Sequence, residues 1–450
     1  MKRSNEHQIK KIMFSGLVGG VNVAQVPEQI AETDMQLCEN FLYDLDSQRL
    51  VGRGGLSAPL TTFQNPIRDL FYDVDTNVLV AFLETRETYA FNNGYNQTPS
   101  FLGTVSGTKS PSCVKFMDKL WIASGGVLQY SNFNSITLIP AAPTCDLVFQ
   151  RFGRLAAIQT GNDRITYSDT GDGTGWSNDS NVASSSQWLD VGYGDSGDII
   201  AVVPLATDMI IIKSNGMIYQ FTGDSDWNSW NVYNIANNAD PVGVATATNI
   251  GDSVVLLSTR GLKSLTTTMD YGNITPNDIG DKFNKLITTN MYEPKICHLK
   301  RRSTIMIRPT TDKTYWIAFN YRIGAATVIR FGLPITSIVE TTNDVLVASG
   351  TCLYKWANEY ATDNGVEISY HMKPKDVIGS DEMLVKAIDT KFSSDRAGTV
   401  NVATSTLSVG MPANSRRKVR CNHSTDCISL DVTSTTRFEL DHIALDISDL

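Results

Sequence analysis

The sequence predicts an all-β chain: a β-propeller of about six or seven blades, with an extended N-terminal arm and a small C-terminal β-sandwich. Three observations lead there. A strand–turn–strand unit recurs along the chain. Charged residues are sparse at 19%, while Gly reaches 33 of 450 residues. The last stretch abandons the unit for segments that largely alternate apolar and polar residues.

The clearest copy of the unit is Val203 to Phe221. Met209 to Ile212 is a continuous apolar run, as in a strand buried on both faces. Ser214-Asn215-Gly216 supplies residues that tolerate positive φ in a tight turn. Met217 to Phe221 resumes as a strand, and Asp208 marks the preceding turn. Close copies run from Asp118 to Tyr130 and from Asp344 to Trp356, and Asp252 to Ser264 lacks the Tyr. Looser copies are Asn77 to Tyr89, Arg154 to Tyr167 and Thr304 to Phe319. Copies start roughly 35 to 55 residues apart, near the period of a four-stranded propeller blade. One hairpin cannot bury both faces, whereas a ring of stacked blades can. Two stacked sandwiches would also give short strands and Gly turns.

Three regions follow: 1–65, an arm with a short helix; 66–365, the propeller; and 366–450, an antiparallel sandwich. In the first, Phe14 to Ala24 is Gly-rich and should be extended. Pro27 opens an expected helix over Glu28 to Asn40, with early Glu residues favouring the helix dipole. Arg49 to Leu56 reads as a strand entering a Gly turn. Within the propeller, Asp169 to Gly197 should be a long surface loop between blades, carrying Trp176 and Trp188. Asn277 to Ile287 suggests a short helix capped by Asp278 or Asp281. The sandwich strands are expected at Glu367–Lys373, Met383–Phe392, Thr399–Thr404, Ile428–Val432 and His442–Ile447, where alternation means half-buried strands.

The net charge of −9 argues against a protein that grips nucleic acid through a basic face. Seven scattered cysteines, an odd number, suggest a reducing compartment. No apolar run reaches bilayer-spanning length. The basic start Met1 to Lys11 is followed by a segment broken at Gly16, Gly19 and Gly20, a poor signal-peptide core.

Chemistry-bearing motifs are weak. Tyr167 to Trp176 looks like a glycosidase-type Asp-box, but with Asp169 and Gly171 in register the Ser and Trp positions hold Tyr167 and Thr174. No carboxylate pair at catalytic separation is marked. Asp169, Asp172, Asp190, Asp195 and Asp198 could hold calcium in a Gly-rich loop, but with no EF-hand or nonapeptide register a solvated acidic loop is the simpler reading. Cys421, His423 and Cys427, with His442, could suit zinc, but the usual paired spacings are missing. Two strand-edge cysteines flanking a turn is the simpler reading. Arg416 to Arg420 and Lys300 to Arg302 are basic clusters that read as turns or subunit contacts more readily than as nucleic-acid contacts. No phosphate loop, zinc-protease helix or nucleophile elbow is present. The expectation is therefore a non-enzyme, with no catalytic, cofactor-binding or metal-binding residue and no cofactor.

Three features stand together: an arm with Gly19-Gly-Val-Asn22, Asn40-Phe-Leu42 and Arg53-Gly-Gly-Leu56; the stretch Gln150-Arg-Phe-Gly-Arg-Leu155 leading to Ile165-Thr-Tyr-Ser-Asp169 and Trp176; and a sandwich entered through Tyr370-His-Met-Lys-Pro374. In these the chain resembles the distal tail-tube or nozzle proteins of short-tailed bacteriophages, the tail tubular protein B and packaged-DNA stabilisation hub family. The usual Pro-Gly after the Arg is replaced by Gly54-Gly55. The resemblance implies a homohexameric ring extending the tail channel below portal and head-to-tail adaptor, with tail fibre, spike or needle proteins attached. Such a ring would retain genomic DNA and let it pass without specific binding, in a virion tail assembled in the host cytoplasm, with no membrane insertion. An acidic lining would repel phosphate and prevent sticking. A glycan-binding or glycan-hydrolysing propeller is the alternative.

Overall fold

In the computed structural model, the described residues are 9–449, except 45, 48, 93, 160, 178–183, 245, 268–273, 290 and 405–406. Seven four-stranded blades account for the middle of the chain. Six of them span 67–104, 112–138, 147–190, 199–236, 247–278 and 295–330. The seventh takes three strands from 335–357 and completes itself with Gly55–Leu56 and Thr61–Thr62, both antiparallel to Cys352–Ala357. The ring is thus clasped by a segment lying before its first blade.

Each of the seven repeats read in the sequence is the middle hairpin of one blade, its second and third strands. In blade 4 these are Asp208–Lys213 and Ile218–Thr222, joined through Gly216 at φ +86°. The residue opening the hairpin often sits in the left-handed region, such as Asn77 (φ +54°) and Asp118 (φ +56°). That geometry favours Asn and Asp at those two positions; in blade 4 the left-handed residue is Ala206 (φ +51°) rather than Asp208. The first strands of neighbouring blades pack beside one another around the centre.

Burial explains why the ring closes. A separate apolar cluster sits at every blade–blade interface. Blades 3 and 4 share Ile158, Tyr167, Ile211 and Phe221, and blades 6 and 7 share Trp316, Val347 and Trp356. Blades 7 and 1 share Leu346, Leu353, Ile67 and Phe91, which makes the circle complete. All six residues of the second strand are buried in blades 1 and 5 because each face meets a different neighbour.

The sandwich is woven from both ends of the chain. Residues 10–52 contribute five strands to it. One sheet orders Phe41–Tyr43, Leu50–Gly52, Glu439–Asp449, Val377–Ser393 and Arg416–Ile428, with Lys10–Ser15 also on Glu439–Asp449. The other contains Asp34–Glu39, Tyr370–Pro374, Asp431–Ser434, Thr399–Ala403 and Ser408–Pro412, and continues into blade 6 where Glu39 meets Val328. One core, including Phe14, Met35, Phe41, Tyr370, Ile388, Val432 and Leu445, fills the space between them.

Several expected elements differ. The helix over Glu28 to Asn40 is a set of turns followed by the strand Asp34–Glu39. Met35 and Cys38 are fully buried in the sandwich core, and Leu37 and Cys38 pair with Lys373 and Met372, so sheet pairing overrides local helix preference. Asn277 to Ile287 is helical only from Asn284 to Thr288, without a side-chain cap, while Ile274–Asp278 is the last strand of blade 5. The insert 169–197 is not wholly an inter-blade loop: Gln187–Asp190 is the fourth strand of blade 3. Cys421 and Cys427 flank no turn, since both lie on the thirteen-residue strand Arg416–Ile428, which also absorbs the basic cluster.

Candidate functional site

The Arg53-Gly-Gly-Leu56 and Asn40-Phe-Leu42 stretches converge on one buried junction between the N-terminal segment, blades 6 and 7, and the sandwich. Arg53 is fully buried and uses all five of its N–H groups. Nη1 donates to Asp363 Oδ1 (2.9 Å) and the Gly54 carbonyl (2.9 Å). Nη2 donates to Asp363 Oδ2 (2.6 Å) and the Arg330 carbonyl (2.8 Å), and Nε donates to Asn40 Oδ1 (2.9 Å). The guanidinium also lies over the Phe331 ring, 4.8 Å from its centroid. Asp363 is 1% exposed and accepts a further bond from the Gly332 amide (2.7 Å). A desolvated ion pair of this kind holds only because every donor and acceptor is matched.

Asn40 adopts φ +65°, and its side chain bridges two bodies: Oδ1 accepts from Arg330 N as well as Arg53, and Nδ2 donates to the Ser369 carbonyl. Tyr370 closes the junction by donating its hydroxyl to the Arg53 carbonyl (2.8 Å), and burial pushes its pKa up to about 12. Glycine is required at 54 and 55, because a Cβ there would lie 2.1 Å from the carbonyl oxygens of Ala357 and Thr362 respectively. Asp363, Arg330 and Phe331 were not singled out from the sequence. The only signal near Asp363 is the turn-forming Asn364-Gly365 that follows it.

The other motif residues are likewise built into joints. Asn22 Nδ2 donates to Asp34 Oδ2 (2.8 Å), and Lys282 Nζ meets Asp34 Oδ1 (2.8 Å), fastening the arm to the segment before the blade 5–6 helix. Gly20, at φ +74°, approaches the backbone of Ala326 too closely for a side chain. In blade 3, Arg154 Nη1 donates to the carbonyls of Ser168 (2.8 Å) and Ser185 (2.6 Å), clasping the long loop. Trp176 is buried at the blade 2–3 interface and donates to the Gly173 carbonyl (2.8 Å).

The candidate calcium carboxylates are dispersed. Asp172 accepts from Thr174 Oγ1 and N, and those bonds hold its carboxyl below the usual range. Asp190 pairs with Arg164, and Asp195 pairs with the buried Lys213 and with Tyr219. The Asp198 amide donates to Ser214 Oγ, and Asp169 bridges to Asp172. Cys421, His423 and Cys427 line a cavity of about 10 Å³, room for about one water. His442 lies on Glu439–Asp449, beyond the intervening strand Val377–Ser393. Among the described residues no three His, Cys, Asp or Glu side chains converge to hold a metal. The seven thiols form no disulfide.

The basic clusters also have places. Arg301 donates to the Thr342 carbonyl (2.6 Å) and its amide to Glu340, while Arg302 lies over Trp356. This turn ties blade 6 to blade 7. Arg416 pairs with Asp389 (2.9 Å) and Lys418 with Asp446 (2.5 Å) on the solvent face of the sandwich. Arg416–Ile428 is an edge strand, and Lys10–Ser15 lies at the opposite edge of the same sheet. Ile9 and Met13 beside that second edge are 60% and 50% exposed.

Comparison with known proteins places the chain by fold. No protein-family model matches it, and no curated protein matches by sequence. Among solved structures it is similar to the β-propeller domain of Cps50 (Swd1) from Myceliophteria thermophila, at 11% identity and TM-score 0.50, covering 67% of this chain and 99% of that one. It is also similar to the WD40 β-propeller domain of Doa1 (13% identity, TM-score 0.45, 69% and 98% covered). BamB from Moraxella catarrhalis aligns at 12% identity and TM-score 0.43, covering 72% and 95%. The chain is a β-propeller protein, and the likeness extends to fold alone. Among the described residues no helix is long and apolar enough to cross a membrane.

Proposed function

We propose that the chain is a structural subunit of a short-tailed bacteriophage tail. In this reading it is a nozzle or hub protein that assembles into a ring below the portal and adaptor, carries tail appendages, retains DNA and lets it pass. One observation carries the assembly step: the sandwich sheet has two unlike edges, Lys10–Ser15 and Arg416–Ile428, and no described strand pairs with the outer side of either. Long open edges are normally covered. Pairing one edge with the opposite edge of the next copy is a head-to-tail contact, which generates a ring when the rotation closes. The exposed Ile9 and Met13 give that contact apolar area. The propeller is closed on itself and offers little free edge, so assembly falls to the sandwich. Six copies, the adaptor and the appendages rest on the resemblance, and the net charge of −9 suits a surface past which DNA must slide.

The test is the mass of the purified protein by light scattering and negative-stain imaging, with and without a portal–adaptor complex. Six-fold rings, or recruitment of six copies to the adaptor, are expected. Met13→Glu should abolish them while leaving thermal unfolding unchanged, because the side chain is half exposed. A stable monomer that ignores the adaptor overturns the reading.

A further inference from the structure

One concave surface takes no part in the assembly reading. It lies between blades 5 and 6, a groove of about 610 Å³ formed around residues 242, 259, 288, 289, 291, 292, 310 and 311. That volume is in the range of small-ligand sites. Its chemistry is uniform. Five threonines line it, Thr259 and Thr311 among them, together with Val242, Met291 and Tyr292, so among the described residues no lining side chain carries a formal charge. The nearby Arg260 is neutralised at 3.0 Å by Asp240.

Backbone hydrogen bonds tie two of the groove's segments to their neighbours. The Tyr292 amide donates to the Pro309 carbonyl (2.9 Å), and the Thr259 amide donates to the Asp240 carbonyl (2.8 Å). The Tyr292 side chain is nevertheless among the most exposed large aromatic groups, and the residue is 63% accessible. Within the described residues the hydroxyls of Thr259, Thr288 and Thr311 make no hydrogen bond to protein, so each can both donate and accept. An exposed ring with an apolar face, surrounded by uncommitted hydroxyls and no charge, matches a ligand with apolar C–H faces and many hydroxyls of its own. We infer that this groove binds a neutral glycan. Binding ends there: the lining holds no carboxylate pair to act as acid and base or nucleophile, so hydrolysis is not expected at this place.

The inference does not depend on ring assembly, since every lining residue lies outside the two sandwich edges. The full chain is run through native gels containing dextran, soluble starch or, as an acidic counterpart, alginate. At least one neutral polymer is expected to retard the protein. Tyr292→Ala should weaken that retardation at least tenfold in apparent affinity, whereas Tyr292→Trp should preserve it. Both variants should unfold at the wild-type temperature because residue 292 is exposed. Absence of retardation in both neutral polymers, retardation by alginate alone, or equal retardation of wild type and Tyr292→Ala would each overturn the proposal.

Discussion

The blade 3–4 interface and the Arg53 junction are both buried, but they are held by opposite means. Between the blades, Ile158 and Tyr167 of blade 3 interdigitate with Ile199, Ile211 and Phe221 of blade 4, with aromatic contacts such as Tyr167–Trp230 at 4.6 Å. At the junction, a guanidinium, a carboxylate and an amide replace the apolar side chains. The apolar interface can lose a methylene and relax. The polar one leaves a buried charge behind when one partner goes. Repetition also separates them: the first kind occurs at seven interfaces from the same local unit, while the second joins residues 310 positions apart once.

The sharpest break is therefore Asp363→Ala. It strands Arg53 and the Gly332 amide, and should cost roughly 3–5 kcal/mol in urea unfolding. Removing both charges, as Arg53→Met with Asp363→Leu, should cost less than the single change; a larger cost would show that the ion pair itself stabilises the fold. Next comes Ile211→Ala, expected to cost about 2–5 kcal/mol by cavity formation. A loss under about 1 kcal/mol would mean that blade interfaces repack more freely than their burial suggests.

The smallest expected effect is on the solvent face of the sandwich, where Asp389 meets Arg416 and Lys11. Hydrogen bonds from Arg416 hold the Asp389 carboxyl below its ordinary range. A depressed carboxyl contributes stability above its unfolded pKa and loses it as pH falls through the lower folded value. Asp389→Asn should thus flatten the acid limb of a stability–pH profile below about pH 4. High salt should reduce the pair's effect near neutral pH. An acid limb identical in variant and wild type would assign it to other carboxylates.

The groove and the junction were legible to different degrees. Gly54, Gly55, Asn40 and Arg53 stood out as turn or motif residues, yet nothing local marked Asp363 as the partner. Thr259, Tyr292 and Thr311 carry no spacing signal, because three separate loops bring them together. Asp190 and Asp195 each meet a different cation, Arg164 and Lys213, because sequence proximity says nothing about which partner a carboxylate will find.

What the sequence by itself determined is the repeating hairpin. Its apolar runs, Gly turns and left-handed Asn and Asp residues are satisfied within some twenty residues, so the pattern survives in the linear chain. Tertiary structure alone decided that Asp34–Glu39 is a strand rather than a helix, that residues 55–62 clasp the last blade, and that both chain ends build one sandwich. These choices depend on partners roughly 300 residues or more away, where local propensity of a few tenths of a kcal/mol per residue yields to burial of whole side chains.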